Sequence, residues 1–308
     1  MIWLWIGTAA VLVPGAFMGF SYFLYHIVLS PGAKRPDPNG NEVHALLEGY
    51  AKFFDNAERE EIYLKAKDGV KLCGYLIPGR SLRRFAILCH GYTMEARGIA
   101  GPASWFWEQG YSLLLPDARG HGKSGGSYIG MGWAEREDVL AWISYLNERF
   151  STPNIVLYGI SMGGATVMMV TGEKLPENVR AAVEDCGYTS VWDEFAYQLR
   201  HGLHLPVFPI LHVVDRIARR RTGYGFRDAS ALKQVQKSRT PTLFIHGEND
   251  TFVPYAFLSR VYNAATCEKE MLSVPKAPHG LSAPTNPELY WSHVSAFLSK
   301  YIPADIEI

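Results

Sequence analysis

An excess of charge of either sign is missing from this sequence: 30 Lys and Arg stand against 30 Asp and Glu. Without a basic surplus to neutralise a phosphate backbone, the chain is not expected to bind nucleic acid. Cysteine is scarce. Cys73, Cys89, Cys186 and Cys267 lie far apart with no C-x-x-C spacing, which argues against a disulfide-dense scaffold and against a clustered zinc site. No metal and no cofactor is expected, and the redox compartment is left open. Charged residues make up only 19% of the chain and hydrophobic ones 48%, so intrinsic disorder is excluded and a large core can form. Internal repeats and low-complexity tracts are also missing. The length of 308 residues allows one large domain or two ordinary ones.

The sharpest absence lies at the N-terminus. No Lys, Arg, Asp or Glu precedes Lys34, and between Ile2 and Leu29 the only strongly polar side chain is His26. About 20 apolar helical residues span a bilayer core, so this stretch is long enough to cross with some tilt. Aromatic rings gather at both ends, Trp3 and Trp5 at one and Tyr22, Phe23 and Tyr25 at the other, as at two membrane interfaces. A signal peptide would have a basic start, a shorter apolar run and a small-residue cleavage site. The expectation is a single-pass membrane anchor over residues 1–33. Lys34 and Arg35 favour a cytoplasmic C-terminal part and Asp37 offsets them, so the side of the membrane is not fixed. Pro, Gly and Asn crowd Pro31–Asn41 and read as a linker, after which a single domain is expected over residues 34–308.

Within that domain short apolar runs alternate with helical patterns. Glu60–Ala66 and Lys71–Pro78 flank an Asp68-Gly69 turn signal and read as an antiparallel hairpin. FAILCHG, SLLLPD, NIVLYG, RAAVEDCG, TLFIHG and EMLSVP follow, each ending in Gly, Pro or Asp. Such runs suit a parallel sheet buried on both faces. Val139, Trp142, Ile143, Leu146 and Phe150 repeat at helical spacing between two of them. The fold class expected is α/β: a mostly parallel, doubly wound sheet with an N-terminal antiparallel hairpin. The rhythm breaks at about residues 188–227, where a Leu-rich and aromatic helical stretch interrupted by Pro206 and Pro209 reads as a cap inserted over the sheet.

Chemistry in such a sheet sits at the carboxyl ends of its strands. G-x-S-x-G occurs at Gly159–Gly163 and again at Gly122–Gly126. A serine nucleophile in this motif needs a strand, a sharp turn and then a helix. Ser161 has that setting, between NIVLYG and MGGATVMMVTG. Ser124 lies in a glycine-rich loop with no helix until about Trp133, and Asp117 stands where a P-loop would need its first glycine. Ser161 is therefore the candidate nucleophile, and it needs a base and an anion that holds the base's tautomer. Of the later histidines, His279 follows the last strand in a Pro- and Gly-bounded loop; His201, His204 and His212 fall in the cap, His293 on the final helix, and His246 closes a strand just ahead of the acid's loop. His279 is the expected base. Asp250 is the expected acid, with Asp185 and Glu248 as the other carboxylates at strand ends. The order Ser161, Asp250, His279 is the Ser, acid, His order of α/β-hydrolases.

Five ordered motifs carry a resemblance to the α/β-hydrolase superfamily: HGY at His90–Tyr92, DARGHGKSGG at Asp117–Gly126, GISMGG at Gly159–Gly164, HGENDTFVP at His246–Pro254 and PHG at Pro278–Gly280. More narrowly the chain resembles bacterial membrane-anchored serine hydrolases of the esterase and acyl-aminoacyl-peptidase-like kind. The resemblance implies an oxyanion hole built from the backbone N–H groups of Tyr92 and Met162, and a structural role for the loop holding Asp117, Arg119 and His121. The expected activity is cleavage of a carboxylic ester through an acyl-enzyme. Medium-chain acyl or lipid-like substrates are suggested by the apolar cap and by Arg219, Arg220 and Arg221 behind it. A serine peptidase, a thioesterase or an acyltransferase would use the same residues, although 308 residues leave no room for the large propeller usual in prolyl-oligopeptidase-type enzymes. A non-catalytic ligand-binding protein on the same fold is the alternative outside enzymes. The expected partners are a small ester or acyl substrate and the membrane; the sequence does not set the oligomeric state.

Overall fold

The computed structural model describes residues 2–33 and 40–302, with side chains from Gly15 to Ala33 and from Glu48 to Ile302. Its eight strands are β1 (Glu60–Lys65), β2 (Lys71–Ile77), β3 (Arg84–Cys89), β4 (Ser112–Pro116), β5 (Asn154–Ile160), β6 (Val179–Asp185), β7 (Thr242–Gly247) and β8 (Lys269–Val274). They form one sheet in the order β1-β2-β4-β3-β5-β6-β7-β8. The hairpin β1–β2 is antiparallel and joins β4 antiparallel, while every pair from β4 to β8 is parallel. The mostly parallel sheet with its N-terminal hairpin is as the apolar runs imply.

Helices follow the alternation: α1 (Ile2–Leu29), α2 (Gly40–Asn56), α3 (Ala100–Glu108), α4 (Glu135–Arg149), α5 (Met162–Thr171), α6 (Val191–Tyr197), α7 (Ile210–Thr222), α8 (Ala231–Val235), α9 (Ala256–Ala264), α10 (Ser282–Thr285) and α11 (Pro287–Leu298). Alternate residues of a strand face opposite sides of the sheet. Accordingly Phe85, Ile87, Ile155 and Leu157 pack with Val139, Trp142, Ile143 and Leu146 of α4 on one face. Ala86, Leu88, Val156 and Tyr158 pack with Phe106 of α3 and Tyr290, Val294 and Phe297 of α11 on the other. Helix α5 is buried along its whole length, which requires its small, apolar, uncharged sequence.

Two elements differ from the sequence reading. Helix α2 begins inside the stretch read as a linker, residues 34–39 of which lie outside the described residues. Ala51 and Phe54 of α2 are buried, Phe54 meets the Tyr75 ring edge-on at 5.1 Å, and Arg97 bridges Glu48 and Asp55 at 2.8 Å each. The apolar segment is helical from Ile2 to Leu29, and its end rests on the domain: Ser21, Tyr25 and Leu29 are buried, and Tyr25 and Leu29 share an apolar cluster with Ile129, Met131 and Met162. Among the described residues no helix is long and apolar enough to cross a membrane. The first half of the expected anchor, through residue 14, lies outside the residues whose side chains are described.

Between β6 and β7 the chain makes α6, a π-helical turn at Gln198–Gly202, α7 and α8. This is the region read as a cap. It leans on the loop after β7, where Tyr197 Oη donates to the Thr251 carbonyl at 3.1 Å and Gln198 Nε2 to that of Phe252 at 2.7 Å.

Candidate active site

The chain leaves β3 toward β4 and leaves β5 toward β6, in opposite directions along the sheet. Connections that diverge open a crevice at the carboxyl ends of those strands. His90–Tyr92 follows β3 there, and Ser161 follows β5.

Ser161 has φ 58° and ψ −117°, a region that side-chain-bearing residues enter only when the surroundings hold them. The holding is done by close backbone packing. A Cβ at Gly159 would lie 2.2 Å from the Gly163 carbonyl oxygen, and one at Gly163 would lie 2.0 Å from that of Cys89. Only glycine fits at either position. Ser161 N–H also donates to the Asp185 carbonyl at 2.8 Å, which pins the turn to β6. Met162 is the first residue of α5, so its N–H has no partner within the helix.

The structure brings Ser161, His279 and Asp250 into one hydrogen-bonded chain. His279 Nε2 lies 2.8 Å from Ser161 Oγ, and His279 Nδ1 lies 2.7 Å from Asp250 Oδ2. All three are buried, with 8%, 7% and 6% exposure for Ser161, His279 and Asp250. Burial raises the Asp250 pKa, but hydrogen bonds from His246 and His279 outweigh it and hold the carboxyl down at about 2. An ionised carboxylate only accepts, so His279 Nδ1 carries the proton and Nε2 presents its lone pair to the Ser161 hydroxyl. That arrangement can take a proton from Ser161 and stabilise the resulting imidazolium.

His246 is the member that sequence reasoning missed as part of this group. It is wholly buried, and its Nε2 faces Asp250 Oδ2 at 3.1 Å and the Val253 carbonyl at 3.0 Å. Both partners are acceptors, so Nε2 must carry the proton. Asp250 Oδ1 accepts from the backbone N–H groups of Phe252 and Val253, each at 2.9 Å. The carboxylate therefore receives four hydrogen bonds. The signal was the histidine of HGEND, the last residue but one of β7 and four residues ahead of the acid.

Other candidates are placed elsewhere. Asp185 accepts from Ser282 Oγ at 2.9 Å, and burial pushes its pKa up to about 6. Glu248 is exposed. Ser124 is held in its loop, its Oγ accepting from Cys73 N–H at 2.8 Å and donating to the Asp117 carbonyl at 2.7 Å. In the same loop Asp117 accepts from the backbone N–H groups of Ala96 and Lys123, and Arg119 pairs with Asp138 at 2.6 Å and Asp68 at 2.7 Å. His201 packs on Tyr197 and His212 on Trp192 within the cap, and His293 approaches Glu270 at 3.5 Å. His90, singled out only as part of a motif, joins two loops: Nδ1 donates to the Gly91 carbonyl at 2.8 Å and Nε2 accepts from Ala118 N–H at 2.9 Å. Burial lowers its pKa to about 4, so it stays neutral in that role. Cys186, Asp250 and His279 bring one potential ligand atom each within 4.8 Å of one another, but the His279 and Asp250 atoms are already joined by their mutual hydrogen bond. A cleft of about 320 Å³ lined by Leu76, Leu82, Phe85 and Phe150 opens near the amino ends of β3 and β4, at the other end of the strands from Ser161.

Known proteins resemble this chain in sequence and in fold. The chain is 27% identical over 266 residues to protein YqkD of Bacillus subtilis, covering 86% of this chain and 85% of that one. An esterase of Pyrococcus furiosus superposes with a TM-score of 0.67 at 23% identity, covering 88% of this chain and all of that one. An acylaminoacyl peptidase of Pyrococcus horikoshii superposes with a TM-score of 0.58 at 17% identity, over 83% of this chain and 44% of that one. A sequence profile of the prolyl oligopeptidase family matches residues 100–304, which run from α3 to the end of the described chain and contain the strained serine and the whole hydrogen-bonded chain behind it. The chain belongs to the prolyl oligopeptidase family of the α/β-hydrolase superfamily, and is a serine hydrolase of the α/β fold.

Proposed function

We propose that this protein hydrolyses carboxylic esters of small or medium-chain acids through an acyl-enzyme on Ser161, with His279 as general base and acid and Asp250 as the anion that orients it. The observation carrying this reading is the unbroken path Ser161 Oγ to His279 to Asp250 at 2.8 and 2.7 Å, starting from a serine held in a strained turn. In the first half-reaction Ser161 Oγ bonds to the acyl carbon as His279 Nε2 takes its proton. The bond from that carbon to the alcohol oxygen then breaks, and the proton passes to the leaving alcohol. Water repeats the sequence, releasing the acid and restoring Ser161. The backbone N–H groups of Tyr92 and Met162 are assigned to the developing oxyanion, where one preorganised donor contributes about 3 to 4 kcal/mol.

A fluorophosphonate probe and a p-nitrophenyl ester test this on the purified protein. Ser161→Ala should lose labelling and turnover, whereas Ser124→Ala should keep both; labelling that survived in Ser161→Ala would move the nucleophile elsewhere. Membership of a family named for a peptidase favours a second reading, hydrolysis of aminoacyl amides. Turnover of an aminoacyl p-nitroanilide faster than that of a matched ester would select it. Localisation to a membrane through residues 1–33 is proposed on the uncharged sequence before Lys34, supported by exposed Met18, Phe20, Tyr22 and Phe23 on α1. Recovery of the full chain in the supernatant of a salt-washed membrane fraction would remove it.

A further inference from the structure

The apolar N-terminal helix is absorbed by none of the chemistry above, yet its last turn meets the oxyanion side of the site. A helix leaves its final carbonyls without partners in the helix, and here the domain supplies them. The Tyr92 hydroxyl donates to the carbonyl of Val28, and Ile129 N–H donates to that of Leu29 at 2.8 Å. Tyr25 and Leu29 are buried beneath this contact, in the same apolar cluster as Met162 and Tyr92. One turn earlier, Arg221 of α7 donates to Tyr22 Oη at 2.9 Å and lies over the Tyr22 and Tyr25 rings at 5.1 and 5.5 Å. The end of α1 is thus tied to the loop after β3 and to the cap at once.

Tyr92 sits on a short turn beside the nucleophile. A Cβ on Gly91 would stand 3.6 Å from that of Ser161, and Thr93 has φ 68°. The turn closes through a Met94 N–H bond to the Gly91 carbonyl at 3.2 Å, and a left-handed residue in it costs energy, so an outer tie on the Tyr92 side chain helps hold its shape. We propose that Tyr92 is a positioning residue: its hydroxyl, held by the Val28 carbonyl at the end of α1, fixes the turn so that its backbone N–H meets the oxyanion, which makes α1 a working part of the site. The inference rests on the oxyanion role assigned to Tyr92 above. An oxyanion donor acts on the transition state and little on bound substrate, so a loosened turn lowers kcat and leaves KM in place.

The test uses the full chain. Tyr92→Phe keeps the ring and the backbone N–H and removes the tether; kcat on a p-nitrophenyl ester should fall about tenfold with KM within twofold. Inhibition by an alkyl boronate, which forms a tetrahedral adduct on the serine, should weaken in proportion. Leu29→Asp, which expels the end of α1 from its apolar seat, should give the same kcat loss, and the double variant should lose no more than either single one, because both act through one contact. Thermal melting of Tyr92→Phe shows whether the fold is kept. A silent Tyr92→Phe, an equal rise in KM, or additive losses in the double variant overturn the proposal. Failure of Ser161→Ala to abolish labelling would instead remove the reading beneath it, so the two failures are separable.

Discussion

At the scale of single residues, the four hydrogen bonds converging on Asp250 explain why this carboxylate, among several at strand ends, is the anion behind His279. Asp185, a further candidate at a strand end, is engaged with Ser282 and has its pKa raised to about 6 by burial. Asp250→Asn should therefore reduce kcat by about 10⁴, by analogy with other triads, while Asp185→Asn and Glu248→Gln stay within tenfold. A large loss in Asp185→Asn alone would put the acid on β6. His246 supports Asp250 without touching Ser161 or His279, so its removal acts on stability more than on rate. Because the native Asp250 pKa of about 2 lies below its ordinary 3.8, its contribution is fully present above about pH 4 and is lost as the pH falls through 2. His246→Phe relaxes that depression. Urea unfolding should show it destabilised at pH 7 and closer to wild type at pH 2.5, and an equal deficit at both would mean that only packing was lost. The grouping of Ser161, His279 and Asp250 was legible from the sequence because each sits in a short motif at a strand end. His246 was harder to place because its role depends on a side chain folding back four residues, which no periodicity records.

At the scale of elements, the strands were legible and the contacts of the helices were not. Apolar runs bounded by Gly, Pro or Asp mark the six strands β3 to β8, because a strand buried in a parallel sheet is largely apolar, and the Asp68-Gly69 turn signal marks the hairpin β1–β2. Helix α2 escaped because Pro31–Asn41 reads as a breaker, and the docking of α1 escaped because an apolar stretch looks the same to lipid and to protein. The cap carries a further element-scale consequence. Glu194 of α6 is buried, with Oε1 accepting from Gln198 at 2.8 Å and Oε2 unpartnered. Burial raises its pKa to about 8, assisted by the Asp250 charge and opposed by the Gln198 amide. A carboxyl whose native pKa exceeds its unfolded value of about 4.3 binds more protons when folded, so stability falls as the pH rises between those values. Glu194→Gln, which has no charge to bury, should gain on wild type progressively from about pH 5 to pH 8 in thermal melts, by a few kcal/mol at most. A difference in melting temperature that does not change with pH would show that Glu194 is solvated and the cap looser than described.

For the molecule as a whole, the cap's apolar content bears on substrate size. Leu199, Ile210 and Leu211 are buried, and Trp192, Phe195, Leu205 and Val207 pack against the same cluster, which includes Met162 and Phe244. Those side chains are spent on the cap's own seating over the sheet. Leu203 and Phe208 point outward, at 54% and 73% exposure. The arginines behind the cap are also partly committed: Arg219 pairs with Asp228 at 2.7 Å and Arg221 holds Tyr22. What borders the reacting serine is more limited, with the Phe252 ring 5.0 Å from that of His279 and Tyr92 on the opposite loop. On the ester reading proposed above, the rings of Phe252 and Tyr92 are the apolar surface that an acyl chain would meet first. Along a series of p-nitrophenyl esters, kcat/KM should rise from acetate by about 0.8 kcal/mol of burial per methylene, or about fourfold each, and level off once the chain extends past Phe252 and Tyr92. Phe252→Ala should move the plateau to longer chains. A profile that is flat or falling beyond acetate would leave small esters or aminoacyl amides as the substrates, because chain burial would then contribute nothing to the transition state.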